Sequence, residues 1–384
     1  MPGDRYRCHR LSRLLAASLG AWMLAACSPV NPFYDPAKPH HTPSGFQNRH
    51  PHPSKGSFWA WQWERWTTGV PRTPPEGWKF PIAKADLAAL ASAAQNPSVT
   101  WVGHATVLLR VGGLNILTDP QFSARAFPVQ WFGPRRVVPA TPSIDQLPHI
   151  DAVVISHDHY DHLDADTIRA LARQPGGAPR FFVGLNTKAW LAELGIGDVV
   201  ELDWWQGARF KGVRFDFVPV QHWSRRSLAD TNFRLWGGWV IRHPELSFFF
   251  AGDTGYSPDF AEIGERFGGF DLAAIPIGAY APRWFMKSAH VAPDEAVRIH
   301  QDLRARRSLG IHWGTFAGLT DEDMDEPPRR LAAARARAGV AAQAFFVLRH
   351  GETLPLGKML ARRPGAPLHD PQRPDALAAS ASRR

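Results

Sequence analysis

Apolar runs of three or four residues, each followed by a histidine or an aspartate, recur along this chain. Ala152-Val153-Val154-Ile155 leads to His157, Phe217-Val218-Pro219-Val220 to His222, Phe248-Phe249-Phe250-Ala251 to Asp253, and Leu309-Gly310-Ile311 to His312. Runs this short and this continuous suit buried strands. If they are strands, the polar residues emerge at strand ends and can meet at one edge of a sheet. Val107–Val111 and Asn115–Thr118 flank Gly112-Gly113 and predict a hairpin. Helical spacing takes over at Asp164–Arg173, where Leu163, Ile168 and Leu171 are apolar and Asp164 or Asp166 can cap the first turn. Pro293–Leu303 is a second helix. Its proline suits the first turn, Asp294 and Glu295 sit at the positive end of the dipole, and Ala296, Val297 and Ile299 carry the apolar face. Leu331–Ala338 predicts an Ala/Arg helix. Strands mixed with helices in this way point to an α/β layer fold.

The chemistry concentrates in His157-Asp158-His159-Tyr160-Asp161-His162. Residues two apart in an extended segment point the same way, so His157 and His159 can grip one metal ion. A turn at Tyr160 would swing Asp161 and His162 toward a second ion. Imidazole nitrogen and carboxylate oxygen are the usual zinc ligands where no thiolate is at hand, and the two cysteines, Cys8 and Cys27, lie far off at the N-terminus. A lone histidine after a strand is more often structural than a ligand, and Asp253 before Thr254-Gly255 could simply start a turn. The ordered set with H-x-H-x-D-H makes those bland alternatives weak.

That order, His-x-His-x-Asp-His, His, Asp, His, resembles the metallo-β-lactamase superfamily. The resemblance implies an αββα sandwich with the site at one edge of the packed sheets. It implies a first metal on His157, His159 and His222, a second on Asp161, His162 and His312, and Asp253 bridging them. A bridging aspartate fits the hydrolases that hold two metals, here expected to be zinc, around one hydroxide. Asp253, Asp161 and His290 are then the candidate catalytic groups, with Tyr160 and Asp164 as candidates for orienting the ligands.

A closer resemblance rests on Trp101-Val102-Gly103-His104-Ala105-Thr106, Leu117-Thr118-Asp119-Pro120, Glu201-Leu202-Asp203-Trp204-Trp205, Gly252-Asp253-Thr254-Gly255-Tyr256, Pro282-Arg283-Trp284-Phe285-Met286-Lys287 and Ile311-His312-Trp313-Gly314-Thr315-Phe316. These segments look like the N-acyl-phosphatidylethanolamine-hydrolysing phospholipase D family, from about Trp101 to Gly351. Ser288-Ala289 departs from the bulkier residues of that family. The resemblance implies hydrolysis of N-acyl-phosphatidylethanolamine to N-acylethanolamine and phosphatidic acid, with a membrane phospholipid as substrate. It leaves a homodimer open. A lactonase or a small-molecule phosphodiesterase of the cell envelope is the alternative on the same centre. A non-catalytic envelope scaffold would require lost ligands, and none is lost.

Charge bears on partners. The chain carries +9, but 96–352 holds 27 Lys+Arg against 28 Asp+Glu, so the basic excess lies in the terminal segments. A nucleic-acid enzyme places a basic stripe on its catalytic body, so no nucleic-acid partner is expected. At the N-terminus, Arg5, Arg7, Arg10 and Arg13 precede the apolar stretch Leu14–Ala26, and Leu24-Ala25-Ala26-Cys27 resembles a bacterial lipobox. The expectation is a lipoprotein signal over 1–27 and a chain anchored through Cys27 at the envelope, on the outer membrane facing the periplasm. Residues 28–57, rich in Pro, His and Asn, read as an extended linker, with His40, His41, His50 and His52 solvated. Residues 58–95 form a Trp-rich extension in which Trp59, Trp61, Trp63 and Trp66 fit either a strand or a helix. They could pack in the core or contact the membrane surface. The hydrolase domain is expected over 96–352, and 353–384 reads as a disordered tail.

Overall fold

The structure, a computed structural model, describes residues 30–51, 56–71, 73–91 and 97–357. The signal segment, Cys8, Cys27 and most of the tail lie outside those residues. The short strands β1 (His41–Thr42) and β2 (Gly45–Phe46) and the helices α1 (Phe58–Thr68) and α2 (Leu87–Ala91) precede the body. In chain order the body then runs β3 (Ser98–Gly103), β4 (Thr106–Val111), β5 (Leu114–Thr118), β6 (Arg135–Arg136), β7 (Ala152–Val154), α3 (Ala165–Ala172), β8 (Arg180–Gly184), α4 (Lys188–Glu193) and β9 (Val199–Leu202). The second half is β10 (Gly207–Phe210), β11 (Val213–Val218), β12 (Gly238–His243), β13 (Leu246–Phe250), α5 (Asp259–Phe267), β14 (Leu272–Pro276), α6 (Arg283–Met286), α7 (Pro293–Asp302), β15 (Ser308–Ile311), β16 (Phe316–Ala317), α8 (Glu326–Arg337), β17 (Phe345–Phe346) and β18 (Thr353–Pro355).

Two seven-stranded sheets result, in the orders β18-β3-β4-β5-β7-β8-β9 and β10-β11-β12-β13-β14-β15-β17. Each is antiparallel through its first four strands and parallel thereafter. Alternate side chains explain the layering. Val107, Leu109, Val154 and Phe182 of the first sheet share a core with Phe215, Phe217, Trp239 and Phe248 of the second. Phe182 stacks on Phe215 with centroids 4.1 Å apart. The intervening Leu108, Val153 and Phe181 face the other way, against Ile168 and Leu171 of α3 and Leu191 of α4. Phe260 of α5 and Ala296 and Ile299 of α7 join the core on the second sheet's side. Strands buried on both faces read as unbroken apolar runs, and the fold is the expected αββα sandwich.

The predicted hairpin is β4–β5, and α3 begins at its predicted cap, Asp164, which accepts from Asp166 N–H. The helix at 331–338 starts earlier, at Glu326, because Pro327 and Pro328 fit the first turn, where no backbone donor is needed. Two boundaries are corrected. β18 pairs with β3, so the body runs past 352. Residues 30–51 form a strap docked on the body, not a solvated linker. Phe46 is buried, and Lys38, His40 and His41 all reach the buried carboxylate of Asp203 at 2.7–3.0 Å. The Trp-rich segment is the helix α1. Trp61 is buried and stacks on Phe285 at 4.8 Å, while Trp59, Trp63 and Trp66 project outward. No helix among the described residues is long and apolar enough to cross a membrane.

Candidate metal centre

All the predicted ligands leave strand ends at one edge of the sandwich. His157, His159, Asp161 and His162 follow β7, His222 follows β11, Asp253 follows β13 and His312 follows β15. The pairs β11–β12 and β12–β13 are antiparallel and β13–β14 and β14–β15 parallel, so β11, β13 and β15 run the same way and release their ligands at the same edge. The turn at Tyr160 forms as predicted, with His162 N–H donating to His159 O at 3.0 Å. His312 (φ 63°) is left-handed, as are its neighbours in the site His104 (φ 54°) and Asp119 (φ 35°). Non-glycine residues pay for such φ values, and they cluster where a site demands them. Gly252 (φ 61°) is required twice over, since a Cβ there would lie 2.4 Å from that of Ser156.

The seven side chains form two groups around a shared carboxylate. His157, His159 and His222 bring their ring nitrogens together, with His157 Nε2 2.9 Å and His222 Nε2 3.3 Å from His159 Nδ1. Asp161, His162 and His312 gather with His104. Asp253 lies between, its Oδ2 3.0 Å from His162 Nε2 and 4.0 Å from His157 Nε2, its Oδ1 3.1 Å from His312 Nε2.

The surroundings fix which nitrogen each ring offers. Ser156 Oγ donates to Asp119 Oδ2 at 2.5 Å, so His157 Nδ1–H donates to Ser156 Oγ at 2.9 Å. His162 Nδ1–H donates to Asp119 Oδ2 at 2.6 Å, and His222 Nδ1–H donates to the Ala289 carbonyl at 2.9 Å. In the neutral rings the Nε2 lone pairs of His157, His162 and His222 then all face the interior, toward other lone pairs and carboxylate oxygens. Lone pairs turned on one another repel unless positive charge sits among them. This donor set fits bound metal cations, and it is the arrangement in which outer partners orient metal-binding imidazoles.

Charge tells the same story. Burial, aided by its histidine neighbours, pushes His157 well below its ordinary value. Burial would also lower His162 and His312, but Asp253 and Asp161 outweigh it, taking His162 well upward and His312 up to about 9. His157 is thereby neutral imidazole, and the second group sits in the field of two carboxylates that calls for cations.

His290 joins the site. Its Nδ1 is 3.8 Å from Asp253 Oδ2 and has no hydrogen-bond partner, and its ring lies edge-on to His222 at 5.3 Å. Burial lowers it to about 4. Asp164 does not orient ligands. It caps α3 and accepts from Phe122 and Ser123 N–H. Tyr160 donates to Arg226 O and forms part of a cavity wall. Two residues not singled out as site groups prove central: Asp119, which supports His162 directly and His157 through Ser156, and His104, whose Nε2 lies 2.9 Å from Asp161 Oδ2. Both follow apolar strand runs, the form that marked the other four.

A cavity of about 680 Å³ opens over the centre. His159, Asp161, Asp253, His290 and His312 contribute to its lining, and Phe58, Trp61, Phe127, Phe285, Met286 and Leu319 supply apolar walls.

A family model described as a beta-lactamase superfamily domain matches residues 114–313. The chain belongs to the metallo-β-lactamase superfamily. An N-acyl-phosphatidylethanolamine-hydrolyzing phospholipase D of Caenorhabditis elegans is 46% identical over 242 residues, covering 60% of this chain and 68% of the worm protein. A metal-dependent hydrolase of Pyrobaculum aerophilum is 30% identical, covering 67% of this chain and 98% of that protein. Among solved structures, a possible metal-dependent hydrolase from Veillonella parvula shares the fold at a TM-score of 0.55 and 18% identity, covering 68% of this chain and all of that one. This metallo-β-lactamase superfamily member is a metal-dependent hydrolase, and the resemblance to the phospholipase D family holds.

Proposed function

We propose that this chain is a dinuclear zinc phosphodiesterase that hydrolyses N-acyl-phosphatidylethanolamine to N-acylethanolamine and phosphatidic acid. His157, His159 and His222 would hold one ion, Asp161, His162 and His312 the other, and Asp253 both. Bound ions there supply positive charge for the phosphodiester oxygens and lower the pKa of water to about 7. The observation that carries the substrate reading is the large cavity with apolar walls opening directly over the centre. A small polar ester or lactone has no use for such walls, whereas lipid chains gain roughly 0.8 kcal/mol per buried methylene. The worm relative's activity on N-acyl-phosphatidylethanolamine supports the same choice.

In the reaction, water's oxygen joins phosphorus, the P–O bond on the ethanolamine side breaks, and the departing alcohol takes up a proton. His290, held neutral by burial, is suited to donate a hydrogen bond to a phosphoryl oxygen rather than to release a proton to the leaving group. Asp253 fixes the spacing of the two ligand groups. The outward tryptophans of α1 adjoin Phe58 and Trp61 of the cavity wall, so the open side of the site would face a bilayer at headgroup depth. Anchoring through Cys27 would hold it there, on the envelope membrane.

The test is elemental analysis of the purified protein with a lipid assay. About two zinc ions per chain are expected, with loss of metal and more than about 100-fold of turnover in Asp253→Asn, beyond the 10–100-fold typical of a merely supporting partner. One ion or none in the replete wild type, or near-normal turnover in Asp253→Asn, contradicts the reading.

A further inference from the structure

The strap over 30–51 touches the centre at one residue. Asn48 Nδ2 donates to the His222 carbonyl at 2.8 Å, and His222 N–H donates back to Asn48 Oδ1 at 3.2 Å. Trp236 Nε1 donates to the same Oδ1 at 3.0 Å, so the amide is oriented by a buried indole. One side chain thus holds both backbone polar groups of His222, while the ring's Nδ1 is held separately by Ala289 O. The neighbouring backbone gives no substitute. Gln221 N–H and C=O are spent on Thr254 Oγ1 and Gly255 N–H, beside Asp253.

The strap has every means of keeping Asn48 in place. Upstream, Lys38, His40 and His41 converge on Asp203, and Phe46 N–H donates to Asn232 O at 2.8 Å. Downstream, Arg49 pairs with Asp259 and Glu262, each at 2.7 Å. A segment outside both sheets, with no catalytic group of its own, is thereby tied on either side of the one residue that grips a ligand's backbone.

We propose that Asn48 is a positioning residue for the metal centre, its side-chain amide setting the place of His222 so that the His157, His159 and His222 nitrogens meet at one point. Without it, His222 would keep its ring bond to the Ala289 carbonyl but lose both of Asn48's bonds to its backbone, and its Nε2 would be less firmly held beside His157 and His159. This rests on the reading of His222 as a metal ligand.

The test follows metal release from purified, zinc-loaded full-length protein challenged with a chromophoric chelator. Asn48→Ala is expected to release one of two equivalents about 10- to 100-fold faster, the range for outer partners of metal ligands, with the other equivalent unchanged. Asn48→Asp, which keeps the acceptor for His222 N–H and loses the donor, should fall between and serves alone if the alanine variant does not fold. Arg49→Ala loosens the strap without touching His222 and should release like wild type. Equal release from wild type and both Asn48 variants overturns the inference and leaves the metal centre standing. Equal acceleration by Arg49→Ala overturns it too, because general undocking would then suffice. A wild type that takes up no zinc removes the metal reading itself, and this inference with it.

Discussion

His290 shows how much one position depends on its surroundings. Its ring is poorly exposed, has no partner for Nδ1, and is lowered to about 4 by burial. A group whose pKa lies near 4 is already neutral at pH 6 and stays so above it. Replacing it with glutamine, which keeps a hydrogen-bond donor, should therefore cost less turnover than replacing it with alanine, and neither change should remove an inflection between pH 6 and 8. A pH–rate profile of the three forms checks this; a limb near pH 6–7 that vanishes in the variants would make His290 a proton donor instead. At this scale the sequence was most legible where spacing alone brings groups together. His157 and His159 are two apart, and a turn delivers Asp161 and His162. Asp119 and His104 were harder. Nothing local distinguishes a strand-end carboxylate that supports two imidazoles from one that starts a turn; only the packing of β5 beside β7 places Asp119 under His162.

Elements with an apolar period announced themselves. β7, β13 and β15 fall on the predicted runs, β11 (Val213–Val218) starts earlier and takes only Phe217 and Val218 of its run, and α3 and α7 fall on the predicted stripes, because burial of those stripes is what folds them. The strap did not, because few apolar side chains dock it. Its attachment is a set of polar bonds to the buried carboxylate of Asp203 and to backbone groups of Asn232 and His222, which leaves no pattern along the chain. Burial alone would raise the Asp203 carboxyl, but hydrogen bonds from His40 and Lys38 outweigh it and hold Asp203 well below the usual carboxylate range. A depressed value stabilises the docked form above the unfolded carboxylate's pKa, about 3.9, and the gain fades as pH falls below that. Hydrogen exchange over 30–51 should therefore be as slow at pH 5 as at pH 7 and faster, corrected for intrinsic rates, near pH 3. Asp203→Asn should bring the fast exchange to pH 7, where equal protection in the variant would show that Asp203 does not hold the strap. The group His40, His41 and Asp203 has metal-like spacing, yet the Lys38 ammonium 2.7 Å from Asp203 already supplies the positive charge.

Taken whole, the molecule joins a buried, cation-seeking centre to an apolar cavity and an outward row of indoles. Trp59 and Trp66 are more than three-quarters exposed, a costly display in water and a comfortable one at a lipid headgroup layer. Changing Trp59, Trp63 and Trp66 together to serine should lower binding to phospholipid vesicles several-fold and slow hydrolysis there, while hydrolysis of a short-chain soluble phosphodiester is unchanged; sedimentation with vesicles and parallel assays check both, and unaltered sedimentation would assign α1 to another partner. The sandwich and its site edge could be read from the chain, since ligand order and strand runs travel together. The cavity could not, because its walls come from α1, the 127–128 loop, α6 and Leu319, which only the finished fold assembles. The central claim is that this centre cleaves the headgroup-side P–O bond of an N-acylated phospholipid. The most direct measurement is mass spectrometry of products from vesicles of N-acyl-phosphatidylethanolamine in water enriched in oxygen-18. The account predicts N-acylethanolamine without the label and phosphatidic acid carrying one labelled oxygen. Released fatty acid, label in the ethanolamine product, or an untouched lipid alongside an opened lactone would contradict it.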